Sequence, residues 1–141
     1  MKNISIIVPV YKIEESRLRD CLNSIKNQKD TDIEVIVVDD GRPDDCGKIC
    51  DEVAKEDERF LVVHTENHGV SAARNVGIKR AAAKHLIFVD GDDQLLPDSI
   101  SKIKKYPETD LILFDYCING KNKATTGKST KFSKKEELAI I

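Results

Sequence analysis

The sequence has no tryptophan and few aromatic residues of any kind, four Phe and three Tyr among 141. A core therefore has to be built from aliphatic side chains, which suits a globular protein whose charged residues make up 34% of the chain. No apolar run approaches the roughly 20 residues that a membrane-spanning helix needs. The first apolar run, Ile4–Val10, is too short for a secretory leader and carries Ser5. It leads into Tyr11 through Pro9 rather than into small residues at a cleavage site. An excess of one charge sign is also missing. The net charge is -2, which gives no electrostatic case for nucleic acid or an anionic membrane as the main partner. The four cysteines, Cys21, Cys46, Cys50 and Cys117, lack the paired spacing of a zinc ribbon, and no His follows Cys46 and Cys50 at ligand spacing. They read as buried, idle thiols in a reduced cytosolic setting.

What is present is an alternation of apolar runs with amphipathic stretches, at a length that fits a single domain, 1–141, with one sizeable core. Ile4–Val10 reads as a first strand. A helix follows over 14–29, where Leu18, Cys21, Leu22 and Ile25 recur at steps of three and four. A second strand at 33–38 ends at Asp39-Asp40-Gly41. Asp44 and Asp45 suit the start of a helix with Ile49, Cys50 and Val53 on one face. Phe60–His64 is a third strand, and 70–84 a helix whose Ala72, Ala73, Val76 and Ala81 allow close packing on a sheet. A fourth strand spans 86–89. This order predicts an α/β fold with a doubly wound, mainly parallel sheet and helices on both faces. Further on, 97–104 reads as a short helix, 111–117 as a fifth strand and 119–131 as a mobile loop. Ser133 and Glu136 form a capping box for a helix in which the chain stops, an end that reads as truncated.

The chemistry concentrates at strand exits. Leu86 to Val89 runs straight into Asp90-Gly91-Asp92-Asp93, three carboxylates within four positions. Like charges so placed repel and lose hydration at the mouth of a core, so a cation or a hydroxyl-rich ligand is one explanation for their presence. Their hard oxygens favour Mg²⁺ or Mn²⁺. Gly91 lets the backbone turn sharply and leaves room between Asp90 and Asp92. The alternative is a plain acidic turn ahead of a helix, with Asp92 or Asp93 as its cap. Ligands of such sheets bind beyond the carboxyl ends of the strands. Pro9 to Tyr11, Asp39-Asp40, Asn67-His68 and the Asp90 to Asp93 cluster all fall there.

Four motifs in register, Ile6-Ile7-Val8-Pro9-Val10-Tyr11, Val37-Val38-Asp39-Asp40-Gly41, Glu66-Asn67-His68-Gly69-Val70-Ser71-Ala72-Ala73-Arg74-Asn75 with Gly77, and Phe88-Val89-Asp90-Gly91-Asp92-Asp93, resemble the family 2 glycosyltransferases of the GT-A, Rossmann-like fold. The resemblance covers roughly residues 3–117, the nucleotide-sugar-binding half of that family. It implies that Asp92 binds a divalent ion with Asp93 assisting, and that Asp90 lies nearer the ribose. It implies further that Asp40 accepts the imide N–H of a base walled by Pro9 and Tyr11, that Asp39 lies near the ribose, and that Arg74 and Asn75 lie near the nucleotide. The implied donor is a nucleotide-diphosphate sugar, by family frequency a UDP-sugar. The implied acceptor is a carbohydrate or a lipid-linked sugar, in surface polysaccharide synthesis on the inner, cytoplasmic face of the cell membrane.

The chain departs from the family in three places, one of them His68, which stands where the family often has Gly. Arg42 replaces the small polar residue usual after Asp-Asp-Gly, and no recognisable carboxylate general base follows the acidic motif, Asp115 included. The expectation is thus that these 141 residues bind sugar nucleotide with metal and transfer sugar poorly or not at all, while the intact protein is an inverting transferase. Plainer roles stand beside these: Asp39-Asp40-Gly41 as a turn, Arg74 as a partner of a surface carboxylate, His68 as loop filler, His64 and His85 as structural residues. A non-catalytic nucleotide-sugar-binding or partner-docking module is the alternative function. A phosphoacceptor receiver domain fits less well, since it needs a lone Asp after the third strand and a Lys after the fifth, where His64-Thr65 and Cys117-Ile118 stand.

Overall fold

Burial on both faces of a strand forces it into the middle of a sheet, and all seven residues of Ile4–Val10 are buried. The computed structural model describes residues 2–41, 45–106, 116–118 and 121–123. In it β1 (Ile4–Val10), β2 (Ile33–Asp39), β3 (Phe60–His64) and β4 (His85–Phe88) form a parallel sheet in the order β3-β2-β1-β4. The chain divides into two compact units, Met1–Ser99 and Ile100–Ile141, and the first contains this whole sheet.

Helices cover both faces, as the alternation predicts. α1 (Glu15–Lys26) buries the stripe Leu18, Cys21, Leu22 and Ile25, and α2 (Cys46–Glu56) buries Cys46, Ile49, Cys50 and Val53. These two helices pack on each other, and α2 covers β2 and β3 from the face that carries Asp39, whose carboxylate lies beneath Gly47. α3 (Val70–Arg80) packs on β1 and β2 from the other face, where Ala73 joins Ile36 and Val38 in a buried cluster. Successive residues of a strand point to opposite faces, so Val38 and Asp39 serve different helices. From β1 through β3 the chain steps steadily one way, then returns past β1 to β4. The direction of winding therefore reverses between β1 and β4, which makes the carboxyl ends of these two strands the expected ligand crevice.

Several predicted boundaries shift for identifiable reasons. α1 stops at Lys26 instead of running to residue 29, because Arg59 takes the carbonyls of Lys26, Gln28 and Asp30 at 2.6, 2.9 and 2.8 Å while pairing with Asp57. α3 stops at Arg80 instead of residue 84. The alanines beyond it are good helix formers, yet the Ala82 N–H donates to Glu34 Oε1 at 2.6 Å and the Ala83 N–H to Ser5 Oγ at 3.1 Å, and these sheet side chains outbid the helix. β2 runs one residue further than predicted, and β4 begins and ends one residue earlier. Asp45 occupies the N-cap position of α2 without a capping hydrogen bond and pairs with Lys48 at 3.1 Å instead. α4 (Ser99–Ile103) lies inside the predicted 97–104. In the second unit, β5 (Tyr116–Ile118) pairs antiparallel with β6 (Lys121–Lys123), so residues 121–123 are strand where a loop is predicted. Asp44, Arg42, residues 111–115, the rest of the predicted loop and the helix capped by Ser133 lie outside the described residues.

The approach of α3 to β1 depends on a missing side chain. A Cβ on Gly77 would stand 2.4 Å from Cγ2 of the fully buried Ile7. Alanine gains about 1 kcal/mol of helix propensity over glycine, but overpacking of this kind costs roughly 1–3 kcal/mol. Gly77→Ala is therefore expected to lower the unfolding free energy by about 1 kcal/mol despite its better propensity, measured by urea titration; an increase in stability contradicts the packing described.

Candidate functional site in the cleft between β1 and β4

The crevice opens because a ladder ends. The Ile7 carbonyl accepts the Val89 N–H at 3.0 Å, so Ile7 presents its backbone to β4. Two residues on, Pro9 presents the same side and has no N–H to donate, and the β1–β4 register ends at Ile7↔Phe88. On the other side β1 stays tied to β2, with the Asp40 N–H donating to the Val10 carbonyl at 2.9 Å. Beyond this fork lies a cleft of about 580 Å³ within the first unit. Its walls come from the β1–α1 segment, from Asp40, from Val70, Ala73 and Arg74 of α3, and from Asp90, Gly91 and Asp92.

The acidic segment is a turn, closed by the Asp93 N–H donating to the Asp90 carbonyl at 2.9 Å. It is not a helix cap, since the next helix starts only at Ser99. Gly91 is buried, and its φ lies outside the left-handed region. What requires glycine there is close approach: a Cβ would stand 2.4 Å from Ile13 and 3.2 Å from the Pro9 carbonyl. The expectation of a sharp turn needing glycine's flexibility is thus replaced by one of space. Asp90 accepts a hydrogen bond from Arg74 at 2.8 Å. Arg74 Nε is buried with no partner among the described residues. Asp92 is exposed on the cleft wall. Asp93 does not line the cleft; partial desolvation, and then Asp92 and Asp90, hold its carboxyl above the usual range.

Asp40 is 2% exposed and acts within the protein. Its two carboxylate oxygens accept the backbone N–H groups of His68 at 3.0 Å and Gly69 at 2.9 Å, which anchors the segment entering α3. A base edge at this position would find only the remaining lone pairs of that carboxylate. Tyr11 lines the cleft and its hydroxyl accepts from Asn67 Nδ2 at 3.0 Å. The ring of His68 is exposed, as filler would be.

Of the residues expected at the site, Pro9, Tyr11, Asp40, Arg74, Asp90 and Asp92 converge on one cleft, and Asp39, Asn75 and Asp93 do not line it. Strand alternation turns Asp39 to the α2 face, where it meets His64 Nδ1 at 2.8 Å, and helical rotation turns Asn75 outward from Arg74. Sequence reasoning missed Lys12, Ile13, Glu14 and Arg17, which build the β1–α1 wall. Their signal was position alone, directly after a strand whose exit had been singled out. Cys21, Cys46 and Cys50 are buried and not disulfide-bonded, and desolvation pushes the Cys21 thiol up to about 12 and Cys50 upward as well, which makes those two inert. Among the described residues no three His, Cys, Asp or Glu side chains form a metal cage. The donors fit instead an ion held by one or two carboxylates and completed by ligand phosphate oxygens, the usual mode for Mg²⁺.

A parallel sheet that reverses its winding at a polar cleft defines an α/β domain of the Rossmann-like, ligand-binding class. Residues 5–136 match the family described as Glycosyl transferase family 2, and the chain belongs to that family. It is 48% identical over 90 residues to the uncharacterised glycosyltransferase EpsJ of Bacillus subtilis, covering 64% of this chain and 26% of that protein. Among solved structures, S. aureus TarS 1–349 in complex with UDP-GlcNAc matches with a TM-score of 0.68 and 30% identity, over 74% of this chain and 30% of that one. A mannosyltransferase of Pyrobaculum calidifontis in complex with GDP-Man and Mn²⁺ matches with a TM-score of 0.69 at 23% identity, over 77% and 33% of the two chains, which shows a shared GT-A fold. The chain spans about a third or less of the curated relatives it matches first, 33%, 26% and 14% of their lengths.

His64 supplies a pH handle beside the site. Its imidazole bridges Asp39 at 2.8 Å and Asp51 of α2 at 3.0 Å, and the Asp39 hydrogen bond raises its pKa above the ordinary 6.5. A raised value means that the protonated ring stabilises the fold fully below about pH 6.5, and that this contribution fades as pH climbs through the folded-state value. His64→Gln is expected to lower the thermal midpoint clearly at pH 5.5–6 and much less near pH 9, roughly two units above the ring's unfolded value. An equal loss at both pH values contradicts the bridge.

Proposed function

We propose that the cleft binds a nucleotide-diphosphate sugar together with Mn²⁺ or Mg²⁺, and that the whole protein transfers the sugar to an acceptor hydroxyl with inversion at the anomeric carbon. The observation that carries this reading is the convergence of residues from four separate segments, among them Tyr11, Asp40, Arg74 and Asp92, on one cleft of about 580 Å³. That volume lies within the roughly 300–1,000 Å³ usual for small-molecule sites. The TarS complex with UDP-GlcNAc, at 30% identity, favours a UDP-sugar as donor.

In the transfer, the bond from the anomeric carbon to the diphosphate oxygen breaks and its electron pair leaves with the nucleoside diphosphate. The acceptor oxygen bonds from the opposite face and gives its proton to a general base. A divalent ion bound to the diphosphate neutralises the charge that develops there. Asp92 is the carboxylate best placed to hold such an ion, since Arg74 already occupies Asp90. Asp90 and Arg74 would contact ribose or phosphate once their pair is exchanged for ligand, and Tyr11 and Pro9 would flank the base. No carboxylate among the described residues is assigned as the general base. The proposal extends to a carbohydrate or lipid-linked acceptor and to polysaccharide synthesis on the cytoplasmic face of a membrane, a setting supported by the bacterial glycosyltransferases among the relatives.

Calorimetric titration with UDP in the presence and absence of Mn²⁺ tests the reading. Binding is expected to tighten at least tenfold with the ion, about 1.4 kcal/mol, and Asp92→Asn should remove that gain while leaving metal-free affinity unchanged. No detectable binding of UDP, GDP, dTDP or CDP contradicts the proposal, as does an Mn²⁺ effect that survives in Asp92→Asn.

A further inference from the structure

Three cations line the cleft, Lys12, Arg17 and Arg74, and only Arg74 has an ion-pair partner among the described residues. The other two come from the β1–α1 segment. Lys12 has a φ of 49°, a left-handed backbone that residues with a β-carbon adopt at a cost and that persists where the surroundings impose it. Its Nζ stands 5.8 Å from the centre of the Tyr11 ring, within the range of a cation–π contact. Arg17 lies in the first turn of α1, exposed on the cleft wall that also carries Lys12. Lys12 and Arg17 share the cleft lining with Asp90 and Asp92, and no ion pair joins either cation to either carboxylate among the described residues. A ligand whose negative charge is spread over several oxygens, and which brings its own cation to the acidic turn, satisfies both sides at once.

We propose that Lys12 and Arg17 bind the diphosphate of the sugar nucleotide from the β1–α1 side of the cleft. Lysine serves as a compact point charge beside Tyr11, and arginine offers a planar fork to two phosphate oxygens. This rests on the reading of the cleft as a sugar-nucleotide site and adds the residues that recognise its phosphates.

The test compares UDP, UMP and uridine by calorimetry on the full chain at fixed Mn²⁺, for wild type, Lys12→Gln, Arg17→Gln, the double variant, and Lys55→Gln as a charge change outside the cleft. Each single variant is expected to weaken UDP about five- to tenfold and the double variant about thirtyfold or more, with a smaller effect on UMP and none on uridine. Lys12→Gly, which removes the strained backbone along with the charge, should lose UDP affinity equally while unfolding no earlier than wild type, so that misfolding is not the cause. If the double variant binds UDP within twofold of wild type while Asp92→Asn still abolishes the Mn²⁺ effect, this inference fails and the sugar-nucleotide reading stands. An equal loss in Lys55→Gln, or a parallel loss of uridine binding, also overturns it. Failure of wild type to bind UDP at all overturns both.

Discussion

One missing amide shapes the functional end of this domain. β1 lies between two parallel neighbours, and its hydrogen bonds to β4 cease where Pro9 has no N–H to offer, while its bonds to β2 continue through Val10 and Asp40. The sheet therefore forks on one side only, at the position where the winding of the chain reverses. Two walls of the cleft follow from that fork: the β1–α1 segment turns out along one, and the acidic turn after β4 forms the other.

Around the fork the sequence invests in close approach rather than in bulk. Gly91 lets the acidic turn sit against Ile13 and Pro9, Gly77 lets α3 sit against Ile7, and Gly41, at φ 59°, meets the backbone of Thr65 so closely that a Cβ would stand 2.2 Å from its carbonyl oxygen. Asp40 then anchors the start of α3 through two amides. These contacts fix where Arg74 emerges, and with it the partner of Asp90. A cleft built this way presents charged groups on a rigid frame, which limits the reorganisation that ligand binding has to impose.

Much of this was legible in the residues. The period of Leu18, Cys21, Leu22 and Ile25 gave the buried stripe of α1, and the unbroken apolar run of β1 gave a central strand. Six of the expected site residues reach one cleft because strand exits in a parallel sheet share one rim. What sequence could not supply was the competition for backbone groups. The alanines after Arg80 look helical, and only the side chains of Ser5 and Glu34, far away in the chain, stop them. Likewise Asp39 and Asp40 are neighbours in sequence with opposite duties, one facing His64 beneath α2 and the other facing α3, and adjacency on paper conceals that division. Lys12 and Arg17 were overlooked because an exposed cation after a strand carries no pattern of its own.

The central claim is that loops from β1, β2 and β4, together with α3, serve a single ligand. Two-dimensional NMR of the backbone amides during titration with UDP and Mg²⁺ addresses it most directly. The account predicts that the amides of Tyr11, Lys12, Asp40, Arg74, Gly91 and Asp92 shift together and saturate along one binding curve, with those of α2 beyond Asp51 left in place. Shifts confined to one of these loops, or centred on the α2 face of the sheet, would contradict it.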